Sequence, residues 1–190
     1  MDGGLVNRRL AQGFDGDPAR HPREAVEAVV ALGANLGDRA ETMTAAIKDL
    51  ARVPLVDAVR VSEPVESVAL KPEGPDASAP AYLNAVAILT TRLAPSVLLG
   101  YLHAIEQRHG RVRSVARSAR EGGWEDRTLD LDLIAYGDVV SDDPRLLLPH
   151  PRAAERDFVL GPWLAVDPDA VLPGAGRVDE ALRRLRTEGR

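Results

Sequence analysis

Asp130 and Asp132 stand one residue apart in RTLDLDLIAYG, residues 127–137, interleaved with Leu129, Leu131 and Leu133. Side chains alternate along a strand, so the three leucines face one way and both carboxylates the other, about 7 Å apart along the strand axis. Two like charges so placed repel, and a hard divalent cation relieves the repulsion. Mg²⁺ prefers oxygen, keeps several waters, and is commonly held by one or two carboxylates together with substrate phosphates. The plain alternative is an edge strand with a solvated acidic face.

The neighbouring sequence favours the metal. RHGRVRSVARSAREGGWEDR supplies Arg108, Arg111, Arg113, Arg117, Arg120 and Arg127 in a chain whose formal net charge is −5. Arginine presents planar, permanently charged donors that match phosphate oxygens, so arginines beside a metal-binding aspartate pair suit a polyphosphate. Gly110, Gly122 and Gly123 would let such a loop move and close; without the aspartates it would read equally well as a solvated basic loop. His150, between Pro149 and Pro151, could donate to a phosphate, with Arg145 and Arg156 near it in sequence.

A second group suits a flat heterocycle. Tyr82 and Asn84 are two apart on an expected strand, hence on one face, where a ring stacks and an amide reads hydrogen bonds. Phe158 and Trp124 are the other aromatics considered, although single aromatics usually serve packing. ALGANLGD, residues 31–38, has neither pattern of a phosphate-binding glycine loop, and a tight turn into a helix explains it.

These residues need elements to hold them. A strand is expected from Glu24 to Gly33, then a helix with Met43, Ile47 and Leu50 on one face. Residues 55–62 read as a second strand, Glu63 to Pro80 as a long loop with four prolines, and AYLNAVAILTT as a third strand. Pro95 opens a helix with Leu98, Leu102 and Ile105 on one face, and Gly110 stops it. The aspartate strand follows, then a short hairpin over DVVSDDPRLLLPHP, a short apolar helix over FVLGPWLAV, and a final helix with Val178, Leu182 and Leu185 inward. The order strand, helix, strand, strand, helix, strand predicts an α+β fold with a ferredoxin-like β-α-β-β-α-β core.

The chain has 190 residues, 45% of them hydrophobic, and suits one domain over 24–190 behind a flexible tail, 1–23. Cysteine is absent, which excludes disulfides, thiolate metal sites and cysteine nucleophiles. The acidic balance argues against nucleic-acid binding, and no stretch resembles a membrane span or signal peptide, so a cytoplasmic location is expected.

Taken together, ALGANLGD, YLNAV at 82–86, EQRHGRVR at 106–113, RTLDLDL at 127–133 and LPHP at 148–151 resemble the 6-hydroxymethyl-7,8-dihydropterin pyrophosphokinase family of folate biosynthesis. The resemblance implies transfer of pyrophosphate from ATP to the pterin hydroxymethyl group with release of AMP, and two Mg²⁺ ions; a monomer is expected. It matches Asp130 and Asp132 to the metal ligands, and Arg111 and Arg127 to the catalytic arginines. His103, Glu106, Arg113, Leu133, Arg145, His150 and Arg156 match positions around ATP. Ser67, Leu70, Tyr82, Asn84, Trp124 and Phe158 match the pterin pocket. The chain departs from the family where Glu125 and Asp126 replace a usual Gly-Pro, and where the loop from Arg113 to Trp124 is longer. Two other readings stay open on the residues alone: a two-metal nucleotidyltransferase, which would release pyrophosphate, and a ferredoxin-like ligand-binding domain without turnover.

Overall fold

The computed structural model describes residues 24–71, 74–76, 80–110 and 128–188. The expected tail, 1–23, and the positions of Arg111, Arg113, Arg117, Arg120, Trp124 and Arg127 lie outside the described residues. The elements in order are β1 (Val26–Ala34), α1 (Arg39–Leu50), β2 (Val56–Val61), β3 (Val65–Ser67), β4 (Ala69–Lys71), β5 (Gly74–Asp76), β6 (Tyr82–Thr91), α2 (Pro95–Arg108), β7 (Asp130–Tyr136), β8 (Ser141–Asp143), β9 (Leu146–Leu148), α3 (Asp157–Val166), β10 (Val171–Leu172), β11 (Gly176–Arg177) and α4 (Val178–Glu188). A 3₁₀ turn, Ala153–Glu155, precedes α3.

The main sheet runs β2-β6-β1-β7, with every neighbouring pair antiparallel and β3 also on β6. One face of the sheet packs Val30, Leu32, Ala87, Leu89, Leu131 and Leu133 against Met43 and Leu50 of α1 and Leu98, Leu102 and Ile105 of α2. The opposite face packs Val29, Val86, Ile88 and Ile134 against Val159, Leu160 and Trp163 of α3 and Val178, Ala181 and Leu182 of α4. The apolar stretches after β9 form a second helical layer over part of the other face.

Local sequence accounts for the element ends. In ALGANLGD, β1 runs one residue past the expected stop at Gly33, Gly37 turns the chain with φ 65°, and Asp38 caps α1 by accepting the Glu41 amide at 2.9 Å. Pro95 begins α2 where its missing N–H costs nothing. The long loop expected over 63–80 is a correction: it contains β3, β4 and β5. The Ser62 amide donates to the Val86 carbonyl at 2.9 Å and the Ser62 hydroxyl accepts the Val86 amide at 3.0 Å, so the chain stays on β6 past the end of β2 and resumes pairing as β3. Pro64 separates the two strands because it cannot donate to a ladder.

A β-bulge in β7 decides which residues face the helices. Val30 pairs with Leu133 but Val29 with Ala135, so Ile134 is an extra residue. Both Ile134 and Ala135 therefore meet the α3/α4 layer, and Tyr136 crosses to the α1/α2 core, where its hydroxyl donates to the Leu93 carbonyl. Unbroken alternation would have put Tyr136 on the aspartate face.

Candidate active site

The register places the polar residues in rows across one face. Asp130, Gly33 and Asn84 are paired across β7, β1 and β6, and Asp132, Ala31 and Val86 form the next row. Beyond the end of β1, Tyr82 pairs with Ser67. The third row, Ala135, Val29 and Ile88, is where the α3/α4 layer closes over the sheet. The aspartates thus lie on the part of the face that these helices leave uncovered, and the leucines between them are buried on the other side, as the spacing predicted.

Gly33 and Ala31 keep the floor low between the acidic strand and Asn84. Two strand spacings separate those residues, about 10 Å. A Cβ on Gly33 would stand 3.6 Å from Asn84 Oδ1, so glycine leaves that carbonyl oxygen open towards the cleft. Asn84 is buried, and its Nδ2 donates to Ser67 Oγ at 2.8 Å, which fixes the direction of the amide. Tyr82 and Ser67 are each half-buried beside it.

The wall comes from the segment between β9 and α3. Arg156 Nη1 donates to Asp132 Oδ2 at 2.8 Å, and the guanidinium lies 5.9 Å from the centre of the Phe158 ring. The His150 amide donates to the Ile134 carbonyl at 2.8 Å, which docks this segment on the free edge of β7. His150 Nδ1 accepts the Arg152 amide at 3.2 Å, leaving Nε2 as the protonated nitrogen, 3.9 Å from Asp132 Oδ2. Burial is the main influence on this imidazole and pushes it below its ordinary value; Arg156 and Arg152 add to that push, while Asp132 and Asp130 oppose it. His150 is therefore a neutral N–H donor at neutral pH.

Glu106 has no solvent exposure, and its Oε1 accepts the Leu131 amide at 2.9 Å. That amide belongs to the residue between the two aspartates, so α2 grips β7 at the position that carries them. Leu133 points its side chain into the α1/α2 core, opposite the cleft. Since the Leu131 amide faces outward and alternate residues share direction, what Leu133 can offer a ligand is its outer-edge backbone. Arg145 forks onto Asp143 at 3.2 and 3.0 Å within the turn between β8 and β9, so it is not drawn into the Asp132 group. His103 is half-buried on α2, and the Leu70 side chain lies outside the description.

Asp130, Asp132, Asn84, Tyr82, Ser67, Phe158, Arg156 and His150 are thus gathered round one cleft. Sequence reasoning missed Gly33 as its floor, although glycine inside a strand is a signal of close approach. It also missed the Arg152 amide that sets the His150 tautomer, for which a sequence carries no signal. Two carboxylates on one face, with oxygen-only side chains, fit a hard divalent ion that completes its shell with water and phosphate.

Ser67→Ala would remove the acceptor that orients Asn84. We expect about fivefold weaker binding of a heterocyclic ligand, the equivalent of about 1 kcal/mol for one hydrogen bond, measured by fluorescence titration.

Residues 29–168 match the family model described as 7,8-dihydro-6-hydroxymethylpterin-pyrophosphokinase (HPPK). The chain is 39% identical over 160 residues to the 2-amino-4-hydroxy-6-hydroxymethyldihydropteridine pyrophosphokinase of Synechocystis, covering 84% of this chain and 76% of that one. It is 41% identical over 160 residues to the Pseudomonas aeruginosa protein of the same name, covering 84% and 92%. Among solved structures, an HPPK-DHPS in complex with substrates superposes with a TM-score of 0.65 at 11% identity, over 87% of this chain and 44% of that one. A Plasmodium falciparum HPPK-DHPS triple mutant gives a TM-score of 0.63, again at 11% identity, over 89% and 46%. The chain spans less than half of these two solved chains, and the likeness to them is one of fold. With a family model matched over most of its length and relatives 39% and 41% identical over 160 residues, this chain belongs to the 7,8-dihydro-6-hydroxymethylpterin-pyrophosphokinase family.

Proposed function

We propose that the cleft binds ATP and 6-hydroxymethyl-7,8-dihydropterin and moves the terminal pyrophosphoryl unit of ATP to the pterin hydroxymethyl oxygen, releasing AMP for the folate pathway. The observation that carries this reading is the shared face: a carboxylate pair and an oriented amide stand across a floor of Gly33 and Ala31. Family membership favours pyrophosphoryl transfer over nucleotidyl transfer and over binding without turnover.

In this reading Asn84, held by Ser67, reads the polar edge of the pterin, and Tyr82, Phe158 and Trp124 enclose its ring. Asp130 and Asp132 would hold two Mg²⁺ ions, which when bound would neutralise phosphate charge. The acceptor oxygen attacks the β-phosphorus, the bond from that phosphorus to the α,β-bridging oxygen breaks, and the hydroxyl proton is lost to solvent. His150 donates its Nε2–H to phosphate, and Arg156 holds Asp132 in place while adding positive charge beside the polyphosphate. Arg111, Arg113 and Arg127 supply further charge to the transferring group, with His103 on the nucleotide side. The core is ferredoxin-like in this proposal, a reading supported by the order β2-β6-β1-β7 with antiparallel neighbours.

Incubation with ATP, Mg²⁺ and the reduced pterin, followed by nucleotide analysis, tests the proposal. AMP and pterin pyrophosphate in equal amounts are expected. Release of pyrophosphate would establish nucleotidyl transfer instead, and binding without ATP consumption would establish a non-catalytic domain.

A further inference from the structure

Arg39 opens α1, where a cation opposes the helix dipole and Asp38 already supplies the cap, so the helix alone gives no reason for an arginine there. Its guanidinium instead forks onto the sheet. Nη1 donates to the Ala81 carbonyl at 2.6 Å, and Nη2 donates to Glu66 Oε1 at 3.0 Å. The Arg39 side chain is 32% exposed and that of Glu66 64% exposed, so solvent screens the ion pair and the partly buried Ala81 contact is the firmer hold.

Each arm of the fork ends one residue from a group that lines the heterocycle side of the cleft. Ala81 precedes Tyr82, and Glu66 precedes Ser67, which pairs with Tyr82 and accepts from Asn84 Nδ2 at 2.8 Å. Alternation along β3 sends Ser67 to the cleft face and Glu66 to the opposite one, where its strand partner Leu83 joins the α1/α2 core. Arg39 therefore reaches β3 and the start of β6 from behind the sheet. β3 has little else to hold it: it is three residues long, Val65 and Glu66 are exposed and Ser67 is half-buried, so apolar burial does not fix its place. Its ladder to β6 and this fork do.

We propose that Arg39 is a positioning residue for the heterocyclic substrate: by tying the Ala81 carbonyl to Glu66 from the back of the sheet, it fixes Ser67 against Tyr82 and, through Ser67, the direction of the Asn84 amide. The proposal rests on the reading that the pterin lies against these residues. Asp130 and Asp132 stand on β7, across β1 from β6, so the effect of Arg39 falls on the pterin and spares the nucleotide.

The test compares Arg39→Ala, Arg39→Lys, Glu66→Ala and Glu66→Gln in the full-length chain by steady-state kinetics, thermal melting and amide exchange. Arg39→Ala is expected to raise KM for the reduced pterin about tenfold, with KM for ATP within about twofold of wild type. Arg39→Lys offers one nitrogen to two acceptors, and Glu66→Ala leaves only the Ala81 contact; each is expected to raise KM for the pterin about threefold. Glu66→Gln keeps an acceptor for Nη2 and should stay within about twofold of wild type. Amide exchange in β3 should quicken in Arg39→Ala while β1 and β7 keep wild-type protection. Unchanged KM for the pterin, or unchanged exchange in β3, would overturn the proposal. So would a lowered melting temperature with equal rises in KM for both substrates, which would make Arg39 merely structural. If Arg39→Ala does not fold, Arg39→Lys and Glu66→Ala decide by the same readouts. Should the wild-type chain bind the pterin without forming AMP, fluorescence titration with the pterin replaces KM; should it not bind the pterin, that reading fails, and exchange in β3 still decides whether Arg39 holds the strand.

Discussion

Asp132→Asn is expected to lower AMP formation by about a thousandfold at saturating substrate while the protein stays folded, and Asp130→Asn to behave alike. The argument begins with what the substitution leaves alone. Leu129, Leu131 and Leu133, which fix β7 in the core, are untouched, and asparagine matches aspartate in shape. The amide oxygen still accepts from Arg156, so the neighbouring guanidinium keeps a hydrogen-bond partner although it loses an ionic one. Asp132 is 31% exposed, and solvent screens that pair, so we expect a stability change within about 1 kcal/mol. That corresponds to a melting shift of roughly 2–4 °C for a chain of this size.

The charge, by contrast, cannot be replaced. A neutral amide binds a hard dication far more weakly than a carboxylate, and a single aspartate would be left to hold the cation. Raising Mg²⁺ should recover part of the lost rate in either variant, because weakened binding is partly restored by mass action. Calorimetry confirms the fold, and AMP quantification over a Mg²⁺ series measures the effect. A variant that keeps its rate within about threefold of wild type would remove the pair from the reaction, since loss of one transition-state contact usually costs a hundredfold or more.

What could be read in the sequence, and what could not, follows from the range of the forces involved. Alternation in LDLDL is a local property, and it correctly separated a buried leucine face from an open carboxylate face. The same local rule put Tyr82 and Asn84 on one side of β6, and the register then set that side beside the aspartates. Pairing across strands is not local: the sequence carries no mark that β3 returns to β6 and brings Ser67 to Asn84. Prolines between Glu63 and Pro80 suggested a loop because they break ladders, but they also allow short strands between them. The bulge at Ile134 was equally hidden, since one extra residue has no signature in an apolar run. Arg145, near His150 and Arg156 in sequence, forks onto Asp143 of its own turn, a pairing that sequence distance alone does not announce.

Glu106→Ala is expected to destabilise the protein by roughly 3 kcal/mol, the sum of an orphaned amide and a partly collapsed cavity. The resemblance placed Glu106 around ATP, yet the carboxylate is buried and accepts the amide of Leu131. β7 is the last strand of the sheet path, so its outer amides need partners that no strand supplies. Glu106 provides one between the two aspartates, and the His150 amide engages the Ile134 carbonyl further along. Removing the carboxylate therefore loosens the edge at the residues that must hold their geometry. We expect activity per folded molecule to fall by about ten- to a hundredfold, as displacements near 1 Å do in positioned sites. Glu106→Gln retains a carbonyl that accepts the Leu131 amide and should recover most of the stability, with KM for ATP close to wild type. Thermal melts of the two variants beside their kinetics separate the possibilities. If Glu106→Gln melts like wild type but binds ATP far more weakly, the carboxylate acts on the nucleotide directly; if both measures recover together, its work is to hold the strand that carries the aspartates.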